Sequence, residues 1–190
     1  MRRPVDDFGL ALFHQRLGDY AAASSAYSAV VTKNGPNAVV HNNEAVMFID
    51  RGQPEGAILE LKEALSLDPT YVKAQNNLGV AYLNAGRLEE ATKALQMALS
   101  QDPRNVESIV NLGLVHKAAG RPADARDLLQ RAVSVEPRSA GAHYNLAVVA
   151  DEAGDRAVAA DHYRAFLRLG SGQYANLIAP VRSRLGVLDR

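Results

Sequence analysis

Glycine recurs every 34 residues along most of this 190-residue chain: Gly18, Gly52, Gly86, Gly120 and Gly154. Alanine follows five positions after each, at Ala23, Ala57, Ala91, Ala125 and Ala159. Pro69, Pro103 and Pro137 keep the same period, and Pro36 is displaced from it by one residue. A period of this length means one supersecondary unit copied in tandem, in which each unit buries its apolar face against its neighbours. The register divides the chain into five units, 4–37, 38–71, 72–105, 106–139 and 140–173, and leaves 174–190 over.

Each unit reads as two helices. In the third, Leu78, Val80, Ala81 and Leu83 lead to Asn84-Ala85-Gly86, a helix end with glycine at the left-handed cap. Leu88, Ala91, Leu95, Ala98 and Leu99 then recur at steps of three and four, one face of a second helix. Asp102-Pro103 ends it, since proline has no amide donor and biases its predecessor away from helix. Nothing alternates with period two for long enough to make a strand. Ala11, Ala45, Gly79, Gly113 and Ala147 share one position on the first helices. With the alanine column they let helix axes approach, while Tyr27, Leu61, Leu95, Leu129 and Tyr163 fill the space around the contact.

The pattern Leu78-Gly79-x-x-Tyr82, Gly86, Ala91, Leu95, Ala98, Pro103 resembles the tetratricopeptide repeat (TPR), across about nine-tenths of the chain. The resemblance implies an all-α fold, a right-handed α-solenoid of five helix-turn-helix units. There are departures. Asp7, His41, Gln75, Ile109 and His143 replace the aromatic usual at the fourth position, and Glu44 stands where leucine is usual. The fifth unit has Phe166 at a normally small position and Ser171 in place of proline. These last two suit a terminal unit with a different neighbour. That neighbour is 174–190, where Tyr174, Leu177, Ile178, Val181, Leu185 and Leu188 keep helical spacing. It is expected to be a capping helix that Pro180 starts or kinks, after a joint at Gly170-Ser171-Gly172.

The family resemblance places the first helices on the concave face. In that register Asn43, Asn77, Asn111 and Asn145 point into the groove, with Gly9 in the first unit and Asn42 and Asn76 alongside. An asparagine amide offers both an acceptor and a donor, so a row of them can hold an extended peptide by its backbone. The arrangement is similar to the asparagine ladder in the repeat domain of O-linked N-acetylglucosamine transferases. The same residues could instead bond neighbouring helices and hold the repeats in step. Val46, Val80, Leu114 and Val148 are expected beside the amides, and Lys73 and Tyr144 at the groove's surface. A carboxylate clamp, as in repeats that hold acidic chaperone tails, is matched only at Lys73, Asn43 and Asn77, with Phe8 in place of the early lysine. Asp151 and Glu152 would make one end attractive to a basic segment.

Charge and chemistry narrow the function. Lys plus Arg and Asp plus Glu are both 21, so no bulk field draws the chain to nucleic acid. Cysteine is absent, which removes disulfides, thiolate metal sites and a cysteine nucleophile. There is no phosphate loop, nucleophile elbow or His-Glu-x-x-His, so neither an enzyme nor a cofactor is expected. His14 with His41, and His116 with His143, are each 27 apart and are expected to face across adjacent units as packing residues; His162 reads as a surface residue. The longest uncharged run is 13 residues, too short to insert in a membrane, and no signal is visible at the start, so a cytoplasmic monomer is the default expectation. The function expected is a non-catalytic module that binds a protein or peptide. The alternatives are a scaffold acting through its convex face or ends, and the recognition part of a larger enzyme.

Overall fold

The computed structural model describes residues 6–170 and 172–189, and within them there are eleven α-helices, one short 3-10 turn and no strand. The helices are α1 (Asp7–Arg16), α2 (Tyr20–Asn34), α3 (Ala38–Asp50), α4 (Pro54–Leu67), α5 (Val72–Asn84), α6 (Leu88–Gln101), α7 (Val106–Ala118), α8 (Pro122–Val135), α9 (Ala140–Glu152), α10 (Arg156–Leu169) and α11 (Ala175–Leu188). They form two compact units, Met1–Gln101 and Asp102–Arg190.

The glycine period is the period of the hairpin turn. Gly18, Gly52, Gly86, Gly120 and Gly154 have φ of 74°, 65°, 73°, 71° and 79°, the left-handed region that side chains rarely adopt. Each ends a first helix and turns the chain back into its partner. Entry is set by caps: the carboxylate or amide of Asp19, Asn37, Asn105 and Asp155 accepts from a backbone N–H in the following turn. Pro54 and Pro122 occupy the first turns of α4 and α8, where a missing N–H costs nothing. As expected, α4, α6 and α8 stop just before Asp68-Pro69, Asp102-Pro103 and Glu136-Pro137.

In the first unit α1 pairs with α2, α3 with α4 and α5 with α6, and α4 and α5 join the last two hairpins. The small-residue column sits at the hairpin contact. A methyl added to Gly79 would lie 2.4 Å from Leu95 Cγ, so the helix backbone rests directly on that leucine. Ala11, Ala23, Tyr27, Ala45, Ala57, Leu61, Ala91 and Leu95 are fully buried.

The second unit repeats this with α7 on α8 and α9 on α10, then adds α11 against α10. Gly113 lies over Leu129, with 3.1 Å for an added methyl. Phe166, the out-of-pattern large residue, is fully buried at the centre of a cluster that takes in Val181, Leu185 and Leu188 of α11. Its ring meets those of Tyr144 and Tyr174 at 5.2 and 5.5 Å. Tyr174 precedes α11, and Pro180 lies inside α11 rather than at its start. Ser171 is outside the described residues. Arg184 of α11 donates two hydrogen bonds to Asp151, at 2.7 and 2.6 Å, and Arg156 donates to the carbonyl of Val187. The guanidinium holds the Asp151 carboxyl below its usual range. Burial, then the charge of Asp151, pushes the Tyr163 phenol up to about 12.

The histidines do not face each other across units as expected. His143 Nδ1 lies 2.8 Å from Nδ1 of His162, its partner within the α9–α10 hairpin, and the ring centroids are 5.0 Å apart with the planes tilted by 36°. His162 is half-buried, not a surface residue, because its position on α10 faces the fourth position of α9. Burial, then His143, holds the His162 imidazole below its ordinary 6.5.

Two outcomes follow. Leu61 is fully buried and Leu59, two residues earlier on the same helix, is 66% exposed. Leu61→Ala is expected to cost about 2–5 kcal/mol in urea unfolding, and Leu59→Ala less than about 0.5 kcal/mol. Equal losses would mean that the hairpin contact is not what holds the unit. The second concerns acid. As pH falls below 6.5 the unfolded chain protonates at position 162 before the folded chain does, so folded stability drops. His162→Gln is expected to flatten the fall in thermal midpoint over that range; an unchanged slope would remove His162 as its source.

Candidate functional site

In the first unit the first helices carry the amides predicted from the register. Asn43 and Asn77 are half-buried on α3 and α5, but Asn42 and Asn76 are buried, with 0% and 5% of their surface exposed. The expectation that these two lie in the groove is therefore corrected: one residue earlier on a helix is a turn of about 100°, which carries both into the packing, Asn42 against α5. There they do a different job. Asn77 donates its amide to Asn42 Oδ1 at 2.9 Å, and Asn42 donates to Asn43 Oδ1 at 3.3 Å. Asn76 donates to Asn77 Oδ1 at 3.5 Å. The four amides form one chain of hydrogen bonds that ties α3 to α5. Buried amides need such partners, since an unsatisfied one costs stability.

Beside Asn43 the surface falls into an open hollow of about 640 Å³. It is lined by Leu12, Gln15 and Arg16 of α1, Asn43, Val46 and Asp50 of α3, Lys73 of α5, and Leu17, Gly18 and Tyr20 around the first turn. Apolar stems, two cations, one carboxylate and two amides thus share one wall. Gln15 is held by Tyr27, whose hydroxyl donates to Gln15 Oε1 at 2.8 Å, and the Gln15 amide reaches the Asn43 carbonyl at 3.5 Å. Burial pushes the Tyr27 phenol up, so it stays a donor at neutral pH. Gln15 is the residue that sequence reasoning missed; its position carries no asparagine and has no counterpart in the repeating column. Phe8 packs edge-on to Tyr27 at 5.9 Å and belongs to the core of the first hairpin.

The second unit uses its predicted residues differently. Asn145 donates its amide to the carbonyl of Gly141, one turn back on its own helix, at 2.9 Å. Asn111 and Leu114 are half-buried on α7. Val148 and Tyr144 pack against the α10–α11 cluster, and the Tyr144 ring lies 6.4 Å from that of Tyr163. The expected acidic end is answered within the chain. Asp151 is bonded by Arg184, and Glu152 pairs with Lys117 at 2.8 Å. A basic partner would have to displace both.

A second polar cluster lies on the other side of α3. His41 Nδ1 is 2.8 Å from Glu60 Oε2 of α4, and Ser24 of α2 donates to Glu44 at 3.5 Å. Burial, then the neighbouring Glu60 charge, pushes the Glu44 carboxyl up.

Comparison with known proteins places the chain. Two tetratricopeptide repeat models match it, one at residues 48–112 and the other at 8–72 and again at 110–174. No match is found among curated proteins. Among solved structures, the thermophilic TPR protein TTC0263 of Thermus thermophilus superposes with a TM-score of 0.79 at 21% identity, covering 96% of both chains. Pseudomonas aeruginosa pilF gives 0.77 at 21% identity, over 96% of this chain and 86% of that one. MamA gives 0.68 at 24% identity, over 84% and 94%. At these identities the likeness is one of fold. With the repeat models spanning most of its length and its helical hairpins turning on the repeating glycines, the chain belongs to the tetratricopeptide repeat family.

Proposed function

We infer that this protein is a non-catalytic interaction module that holds an extended peptide, or a flexible segment of a partner protein, against the first helices of its first unit. The observation that carries the reading is the hollow beside Asn43, where Gln15 and Asn43 supply amides, Arg16 and Lys73 supply positive charge, and Leu12 and Val46 supply apolar contact. That mixture suits a peptide. Amides orient its backbone, and the apolar stems add affinity that does not depend on one ligand sequence. Two cations against Asp50 favour a segment with at least one carboxylate, at a strength that salt screens.

The amide chain refines the ladder idea. Asn42, Asn43, Asn76 and Asn77 are linked to one another, so backbone gripping at Asn77 requires exchanging the Asn42 bond for a bond to the ligand. Such an exchange is nearly even in energy, which makes the amides a poor source of affinity and a good source of alignment. The groove positions of the second unit support this division of labour less directly, since Asn145 and Tyr144 are engaged in their own hairpin.

A second reading, a scaffold assembling through its end, is favoured by one observation. Leu10, Phe13 and Leu17 of the first hairpin are 37%, 57% and 66% exposed and lie at helical spacing. A second copy covering them would make the mass measured by light scattering rise with concentration, and Phe13→Ser would abolish the rise.

The leading reading is tested by screening a peptide library for binding by fluorescence anisotropy. Asn43→Ala and Lys73→Ala are each expected to weaken the best binders about five- to tenfold, roughly 1.0–1.4 kcal/mol, with the helical content unchanged. Binding that survives both substitutions would place the peptide elsewhere.

A further inference from the structure

The cluster of His41, Glu44 and Glu60 has no part in the hollow, and its composition is unusual for where it lies. One ligand atom from each of the three side chains lies within 4.8 Å of the other two, and all three are half-buried. Among the described residues no other such group of His, Cys, Asp or Glu is found.

The repeat supplies its own control. At the position of His41 the other units have Asp7, Gln75, Ile109 and His143. At that of Glu44 they have Leu10, Leu78, Leu112 and Leu146. At that of Glu60 they have Ala26, Ala94, Leu128 and His162. Ordinary hairpin packing therefore puts leucine at the second position and most often a small or apolar residue at the third. Only the second repeat, 38–71, places ionisable groups at all three, and it gathers them at one contact. Ser24, on the neighbouring α2, donates its hydroxyl to Glu44.

From these observations we propose that His41, Glu44 and Glu60 bind a first-row divalent metal ion such as Zn2+. His41 and Glu44 stand three apart on α3, so they share a face, and Glu60 meets them from the antiparallel α4. One imidazole and two carboxylates are a donor set that suits such an ion, and the imidazole disfavours Mg2+ and Ca2+. A hollow of about 170 Å³, lined in part by Ser24, Glu44, Arg51 and Glu60, opens beside the cluster with room for water to complete the coordination. Closing the three groups onto ligand distances of about 2.0–2.2 Å would exchange the His41–Glu60 hydrogen bond for bonds to the ion. The ion would relieve the repulsion between the two carboxylates and clamp α3 to α4. Arg51 lines the same hollow, with its guanidinium over the Tyr20 ring at 6.0 Å.

The test is titration of the metal-stripped full chain with Zn2+ by calorimetry, with the visible spectrum of the Co2+ form as a second readout. One ion per chain is expected, together with a rise in thermal midpoint. His41→Gln and Glu44→Leu install residues that the third repeat, 72–105, carries at the same positions, Gln75 and Leu78, and Glu60→Gln keeps the shape of the side chain. Each is expected to weaken Zn2+ at least tenfold while circular dichroism stays unchanged. His162→Gln, which alters the other histidine contact, is expected to leave binding intact. Absence of binding to the parent chain, full binding in His41→Gln, or loss of binding in His162→Gln would each overturn the proposal.

Discussion

Every hairpin in this molecule depends on one contact, a small residue of the first helix resting on a large residue of the second. At Gly79 the approach leaves no space for even a methyl group above Leu95, and at Gly113 Leu129 would have to give way by a few tenths of an ångström to admit one. Dispersion and burial at this contact are shared by two helices of about four turns, too short to be stable alone in water. The turn glycine lets the second helix return at the angle that the contact needs. Once that angle repeats, the first helices fall side by side, as α3 and α5 do, and whatever they carry outward comes into register.

That dependence explains what could be read from one chain. The period, the hairpin turns, the helix ends and the apolar columns are local, and each is set by residues within a few positions of one another. The terminal helix was legible too, because Phe166 broke the pattern at the place where α11 packs. Side-chain partnerships were not. Asn42 and Asn76 look like groove residues in a linear register, yet both are buried, and Asn42 bonds Asn77 of the neighbouring helix. Asp151 looked available until Arg184, 33 residues later, was placed on it. His162 was read as exposed because its partner, His143, sits on another helix. In each case the missing information was which helix faces which, and a periodicity does not carry it.

The amide chain and the hollow divide two tasks between adjacent positions on the same helices. Asn42 and Asn77 pin α3 and α5 in step, and the half-buried Asn43 and Asn77 lie at the outer edge of the same hydrogen-bonded chain. On the proposed reading, a groove built in this way would be aligned before a peptide arrives, so little ordering would be needed on binding. The cluster at His41 lies on the same helix as Asn43. An ion held there would stiffen α3 and with it the wall of the hollow.

The central claim, that the first helices of the first unit receive a peptide, is tested most directly by nuclear magnetic resonance of the full chain titrated with a binding peptide. The side-chain amide signals of Gln15 and Asn43 and the backbone signals of α1 and α3 are expected to shift together and to saturate at one peptide per chain. Shifts confined to the outward faces of α2 and α4, with the Gln15 and Asn43 amides unmoved, would contradict it.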